Sequence, residues 1–274
     1  MDTPNVVQVV GSLAYLVDRL GQLQVVDVTD PAHPTGVAMR QAGGYIKGLR
    51  VKDTSLYVVG DQEGADHDVG FLEIFNLSQP TNPVSVGFSF TGAPIGYGVD
   101  VANGHAYIAN DESALTVVNV SAETNWPVVA EFTTYGWAEA VQLRGDYAFL
   151  VGEFLGLTVL DVSDPADPAK VAQYPIGTGR DEGWDVHVVG NYAYVARGDL
   201  GLLIFQIDET RYFTSISRVG DKLTLRWNGT RALKLQHSAS VSSTVWEDVP
   251  GSDGLSSMDL PIGNGNDFFR LSRE

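Results

Sequence analysis

A short phrase recurs along the chain at nearly constant intervals, and that recurrence limits the fold more than any other feature. In its fullest form it reads Gly156-Leu-Thr-Val-Leu-Asp161-Val-Ser-Asp164-Pro165-Ala-Asp-Pro168, an apolar strand that runs into a turn rich in Asp and Pro. A second full copy spans Gly21 to Pro34, and drifted copies begin at Gly70, Ser113 and Gly201. Ahead of each copy lies a short strand marked by an aromatic residue. These are Tyr15, Tyr57, Tyr107, Phe149 and Tyr194, spaced 42, 50, 42 and 45 residues apart. Units of this length with four strands each are the sequence pattern of a β-propeller blade. We therefore expect an all-β fold, a propeller of about five four-stranded blades followed by a small antiparallel β domain.

The fourth unit displays the strands. Strand A is Ala140 to Leu143, strand B Tyr147 to Val151, strand C Leu157 to Val162 and strand D Ala169 to Tyr174. Proline has no N–H to donate to a sheet ladder, and Asp bonds its own backbone in turns. The signature residues Asp161 and Asp164 are accordingly read as turn formers rather than catalytic groups.

These units resemble the LVIVD repeats of bacterial propeller proteins. The resemblance is carried by Leu23-Gln-Val-Val-Asp27, Leu157-Thr-Val-Leu-Asp161 and the turns at Asp30-Pro31 and Asp164-Pro165, and covers roughly residues 5 to 208. It implies a propeller, often extracellular or surface-linked, and carries no catalytic motif. The second unit departs from the pattern at Phe75-Asn76 and Gln79-Pro80, and the third has Asn119. The fifth, Leu202 to Gln206, has lost both the Asp and the Pro turn and runs out after strand C. An open sheet edge invites unwanted pairing. The closing strand is thus expected from Tyr212 to Ser217 or from upstream sequence, or else the ring is not closed.

From about Phe213 the repeat ends. We divide the chain into a propeller, 1–210, and a C-terminal sandwich-like module, 211–274. In the module Asp221 to Trp227, Ala232 to His237, Val245 to Val249 and Phe268 to Leu271 alternate apolar and polar residues, as half-buried antiparallel strands do. Its layout resembles the small C-terminal β-modules of secreted bacterial proteins.

Charge and composition narrow the function. A net charge of −17 disfavours nucleic acid, whose phosphates need clustered Lys and Arg. The chain has no cysteine, which excludes disulfides, thiolate metal sites and a Cys nucleophile. No stretch approaches the roughly 20 apolar residues of a membrane-spanning helix. The start, Met1-Asp2-Thr3-Pro4, lacks the layout of a secretion signal, so the extracellular or cell-surface location is an expectation from the resemblance alone. Templates such as Gly-x-Ser-x-Gly, His-Glu-x-x-His and a phosphate-binding Gly-rich loop with Lys are missing.

In a propeller the D–A and B–C loops share the face around the channel mouth, the usual place to bind something. The D–A segments here supply Tyr45, Lys47, Tyr97, Trp137, Glu139, Arg180, Asp181, Glu182 and Trp184, and the B–C loops are acidic. Aromatic faces beside carboxylates suit a sugar or a cationic ligand. The competing reading is that the aromatics plug the mouth and the acids are solvated. One polar residue inside each strand A, namely Gln8, Arg50, Asp100, Gln142 and His187, is expected to form a ring near the axis. Arg50 and Asp100 fall on adjacent blades, and a pairing between them is expected. Asp61, Glu63, Asp66 and Asp68 are the densest group of oxygen ligands, suited to Ca2+. Their spacing does not match an EF-hand, and an acidic loop is the plainer account.

Three functions follow. The first is a non-enzymatic, exported binding or scaffold propeller with a protein or carbohydrate partner. The second is a glycoside-active enzyme using Asp100 or Glu139 with Glu182. The third is self-assembly through the incomplete last blade and the C-terminal module.

Overall fold

A computed structural model describes residues 4–62, 69–92, 95–111, 113–122, 125–174, 176, 183–198, 201–207, 213–219, 222–227, 233–238, 244–252, 255, 257–261 and 268–273. The chain is all-β and forms a five-bladed propeller followed by two small sheets. Blade one comprises β1 (Pro4–Val10), β2 (Leu13–Asp18), β3 (Gln22–Asp27) and β4 (Thr35–Gln41). Blade two comprises β5 (Tyr45–Lys52), β6 (Ser55–Gln62), β7 (Val69–Asn76) and β8 (Val84–Phe90). Blade three comprises β9 (Gly96–Ala102), β10 (His105–Asn110), β11 (Leu115–Asn119) and β12 (Val128–Phe132). Blade four comprises β13 (Ala140–Arg144), β14 (Tyr147–Gly152), β15 (Gly156–Asp161) and β16 (Ala169–Tyr174). Blade five, among the described residues, has three strands: β17 (Asp185–Val189), β18 (Tyr192–Arg197) and β19 (Gly201–Gln206). Within each blade consecutive strands pair antiparallel, in the order A–B–C–D.

The turns after strand C work as their sequence suggests. Asp27 accepts a hydrogen bond from the amide of Thr29 at 2.8 Å, Asp30 from Ala32 at 3.0 Å, Asp161 from Ser163 at 2.9 Å and Asp164 from Ala166 at 3.0 Å. Where the signature has drifted to asparagine the same bond survives, from Ser78 to Asn76 and from Ser121 to Asn119. A short polar side chain that captures the amide two residues on ends the strand and starts the reversal.

The core lies between blades. Tyr15, Leu23 and Val25 of blade one pack with Leu49, Val51, Leu56 and Phe71 of blade two. Leu72 and Ile74 meet Val99, Val101 and Ile108, and Leu115 and Val117 meet Val141, Ala148 and Leu150. Each of these three interfaces therefore uses alternate residues of a strand C against strands A and B of the blade that follows. Burying a Leu or Val side chain contributes roughly 1.5–3 kcal/mol, so these layers hold the array together. The A strands pack in the sequence β1, β5, β9, β13, β17, and among the described residues no packing of like extent joins β17 to β1.

Met1–Gln206 forms one compact unit and Ile207–Glu274 a second. In the second, β20 (Phe213–Val219), β21 (Lys222–Trp227) and β24 (Ser257–Pro261) make one sheet. The other holds β22 (Leu233–Ser238), β23 (Glu247–Asp248) and β25 (Phe268–Arg273), over a core centred on Leu225, Leu235 and Val249. Residues 213–219 pair with β21, so this stretch is not the closing strand of blade five. Two residues separate β20 from β21, and local pairing of that kind carries little loop-closure entropy.

Candidate functional site

The five polar residues of the A strands do one job four times. The Gln8 amide oxygen accepts from the Val51 N–H at 2.7 Å while its nitrogen donates to the Val51 carbonyl at 3.3 Å. Gln142 repeats this on Val188, at 2.6 and 3.3 Å. Asp100 accepts from the Leu143 N–H at 2.8 Å through one oxygen. Its other oxygen takes the Val101 N–H at 2.8 Å and lies 2.9 Å from Arg50 Nε. That last contact has ion-pair distance without the alignment of a hydrogen bond. Each side chain thus reaches the A strand of the next blade. His187, on the last blade, is exposed.

This arrangement removes Asp100 from the carboxylates available for glycoside chemistry, because it is 3% exposed and both oxygens are engaged. Glu182, like Arg180 and Asp181, lies outside the described residues.

At the mouth, blades two to four bring Lys47, Asp61, Tyr97, Asp111 and Glu139 together. Lys47 Nζ is 3.1 Å from the buried Asp61 carboxylate and 5.0 Å from the Tyr97 ring centroid, a cation–π placement. Burial, reinforced by the negative charges of Glu139, Asp111 and Asp61, pushes the Tyr97 hydroxyl from 10.0 up to about 12. Of the four residues offered for Ca2+, Asp61 faces this lysine, and Glu63, Asp66 and Asp68 lie outside the described residues.

The segments at the mouth also carry exposed aromatic rings. Tyr45, Tyr135, Trp137, Phe154 and Trp184 are all exposed, Tyr135 by 80%. Tyr135 and Phe154 approach to 5.7 Å between centroids. Backbone bonds fix the segments that carry them: Trp137 N–H to Glu153 C=O at 3.1 Å, Glu139 N–H to Val151 C=O at 2.8 Å, and Trp184 N–H to Ala196 C=O at 2.9 Å. Two glycines make room for this crossing. A Cβ on Gly60 would stand 1.8 Å from the Tyr45 carbonyl oxygen, and one on Gly152 would stand 1.7 Å from that of Trp137.

Sequence reasoning missed Phe154. It is a bulky residue at φ 56, the left-handed region, and half exposed. Such a conformation is rare for large side chains and concentrates at functional sites. The available signal was a large aromatic in a B–C loop just ahead of the repeat phrase. Asp18 and Asn110, polar residues at the start of B–C loops, are buried loop staples. Asp18 accepts from the amides of Leu20 and Gln22, and Asn110 from that of Ser113.

A family model described as "LVIVD repeat" matches residues 5–38, 97–134, 135–175 and 182–208. No curated protein matches the chain. Among solved structures, a chain of the Mitotic Checkpoint Complex is similar at TM-score 0.59 and 11% identity over 74% of this chain. This chain spans 64% of that one's length. The computationally designed Ika8 protein is similar at TM-score 0.55 and 7% identity, covering 99% of this chain and 83% of the design. A functionally unknown protein from Desulfotomaculum acetoxidans DSM 771 is similar at TM-score 0.58 and 16% identity, covering 95% of this chain and 90% of its own. At these identities the likeness concerns the fold alone.

Proposed function

We propose that this chain, which belongs to the LVIVD-repeat family, is a non-enzymatic binding or scaffold propeller that holds a carbohydrate chain at its channel mouth, outside the cell or on its surface. One observation carries the reading: the D–A and B–C segments that bear the partly exposed Asp111 and Glu139 also carry the exposed rings of Tyr45, Tyr135, Trp137, Phe154 and Trp184. Flat apolar rings stack on sugar faces, and carboxylates accept from sugar hydroxyls. The extracellular placement rests on the family resemblance. The test is titration calorimetry against a panel of neutral oligosaccharides. Binding by at least one glycan, weakened about tenfold by Trp137→Ala in line with a lost stacking contact, supports the reading. Failure of the whole panel, or binding indifferent to Trp137→Ala and Tyr135→Ala, refutes it.

A further inference from the structure

Both ends of the blade array are left as halves of the same interface. At the first three interior junctions a strand-C pair is buried: Leu23 and Val25, Leu72 and Ile74, and Leu115 and Val117 are 0–6% exposed, and at the fourth Leu157 is buried while Val159 is half-buried. The register partner of each second residue is the strand-B aromatic, as in Val25 with Tyr15 and Val117 with Tyr107. In blade five the same positions are Leu202 and Ile204, with Ile204 opposite Tyr194. Both are 58% exposed.

The receiving side shows the complementary gap. Leu49 and Val51, Val99 and Val101, and Val186 and Val188 flank the polar residue of strand A and are 4–8% exposed. Their counterparts in blade one, Val7 and Val9, are 58% exposed. The polar clamp is split in the same way. Val9 pairs with Ala14 as Val51 pairs with Leu56, so its amide and carbonyl point off the free edge of β1, as those of Val51 point to Gln8. His187 occupies the clamp position at the other end.

We propose that a second copy of this chain packs head to tail, with the strand-C face of blade five seated on strand A of blade one of its neighbour. Continuity with an interface already repeated between the blades argues for this occupant: each chain carries one donor face and one acceptor face of a single kind. The contact joins different surfaces, so the copies form a ring if the rotation closes and a filament if it does not. A charge of −17 on each copy opposes association, and salt that screens it strengthens the contact.

The chain has no cysteine, which leaves a clean background for cross-linking. Full-length Val9→Cys and Leu202→Cys proteins are mixed and treated with a short bis-maleimide, and a Val9→Cys/Leu202→Cys double variant is treated alone. Light scattering is run on the untreated protein at up to about 100 μM, which saturates a contact of micromolar affinity. Expected are a multimer by light scattering, a heterodimeric cross-link in the mixture, and about a 100-fold loss of association in Leu202→Glu, since a charge would enter an apolar interface. Leu202 is exposed within one copy, so the near-UV circular dichroism of that variant stays that of the parent. A strict monomer overturns the proposal. So does a cross-link that forms within single copies of the double variant, because the ends would then close on one another.

Discussion

Replacing Asp100 by alanine tests whether the polar residues of the A strands join the blades. The substitution leaves the N–H groups of Val101 and Leu143 without acceptors and takes the partner from Arg50. An unsatisfied buried donor costs roughly 1–3 kcal/mol, so two of them cost about 2–6 kcal/mol. The ion pair adds less, about 1 kcal/mol at most, because the Arg50 side chain is 35% exposed and screened by solvent. Against a typical stability of about 5–15 kcal/mol, Asp100→Ala moves the urea midpoint visibly at constant slope. Asp100→Asn keeps one acceptor oxygen and costs about half as much. Arg50→Met keeps both amide bonds and costs about 1 kcal/mol. Urea unfolding followed by tryptophan fluorescence ranks the three. The reasoning fails if Asp100→Ala lies within about 0.5 kcal/mol of wild type, the range of an inert surface change. It also fails if Arg50→Met equals Asp100→Ala, since ion pairing and not amide capture would then link the blades.

Three further outcomes follow from the same geometry. The folded state favours the neutral Tyr97 hydroxyl, so the stability this group supplies is complete below pH 10 and is lost as pH rises from 10.0 toward about 12. In an alkaline absorbance titration, Tyr97→Phe removes one late-ionising tyrosine, and an unchanged curve refutes the assignment. Gly152→Ala forces a Cβ against the Trp137 carbonyl and lowers stability by about 1–3 kcal/mol, whereas Gly36→Ala meets only the flexible end of the Gln24 side chain and stays near wild type. Thermal unfolding separates the two variants. Leu150→Ala empties a fully buried site between blades three and four at about 2–5 kcal/mol, and a loss below 1 kcal/mol would mean that the inter-blade layers are not the core.

Much of the architecture is legible in the chain because a blade is a local object. The aromatic of strand B, the apolar alternation of strand C and the Asp turn all lie within some 20 residues of one another, and each has a backbone reason to be where it is. The same locality explains why the polar residue of strand A could be recognised as a repeated position. Its use could not be read there, since the bonds of Gln8, Asp100 and Gln142 run to a neighbouring blade more than 40 residues away.

The mouth follows the same division. Sequence placed Tyr45, Lys47, Tyr97, Trp137, Glu139 and Trp184 on loops of one face, from the order of strands alone. Only the tertiary structure set Lys47 against Asp61 and over Tyr97, raised Phe154 beside Tyr135, and withdrew Asp18, Asn110 and Asp100 into structural bonds. The repeat likewise counts five units without saying how the first meets the last. That depends on the rotation between neighbouring blades, set by side-chain packing such as Phe71 against Leu23 and Val25, and by close backbone approaches such as that at Gly98. Small rotations accumulate around the axis, and no single repeat encodes their sum. The chain thus specifies each blade and each junction locally, and the tertiary structure decides that Val7, Val9, Leu202 and Ile204 remain uncovered at the two ends.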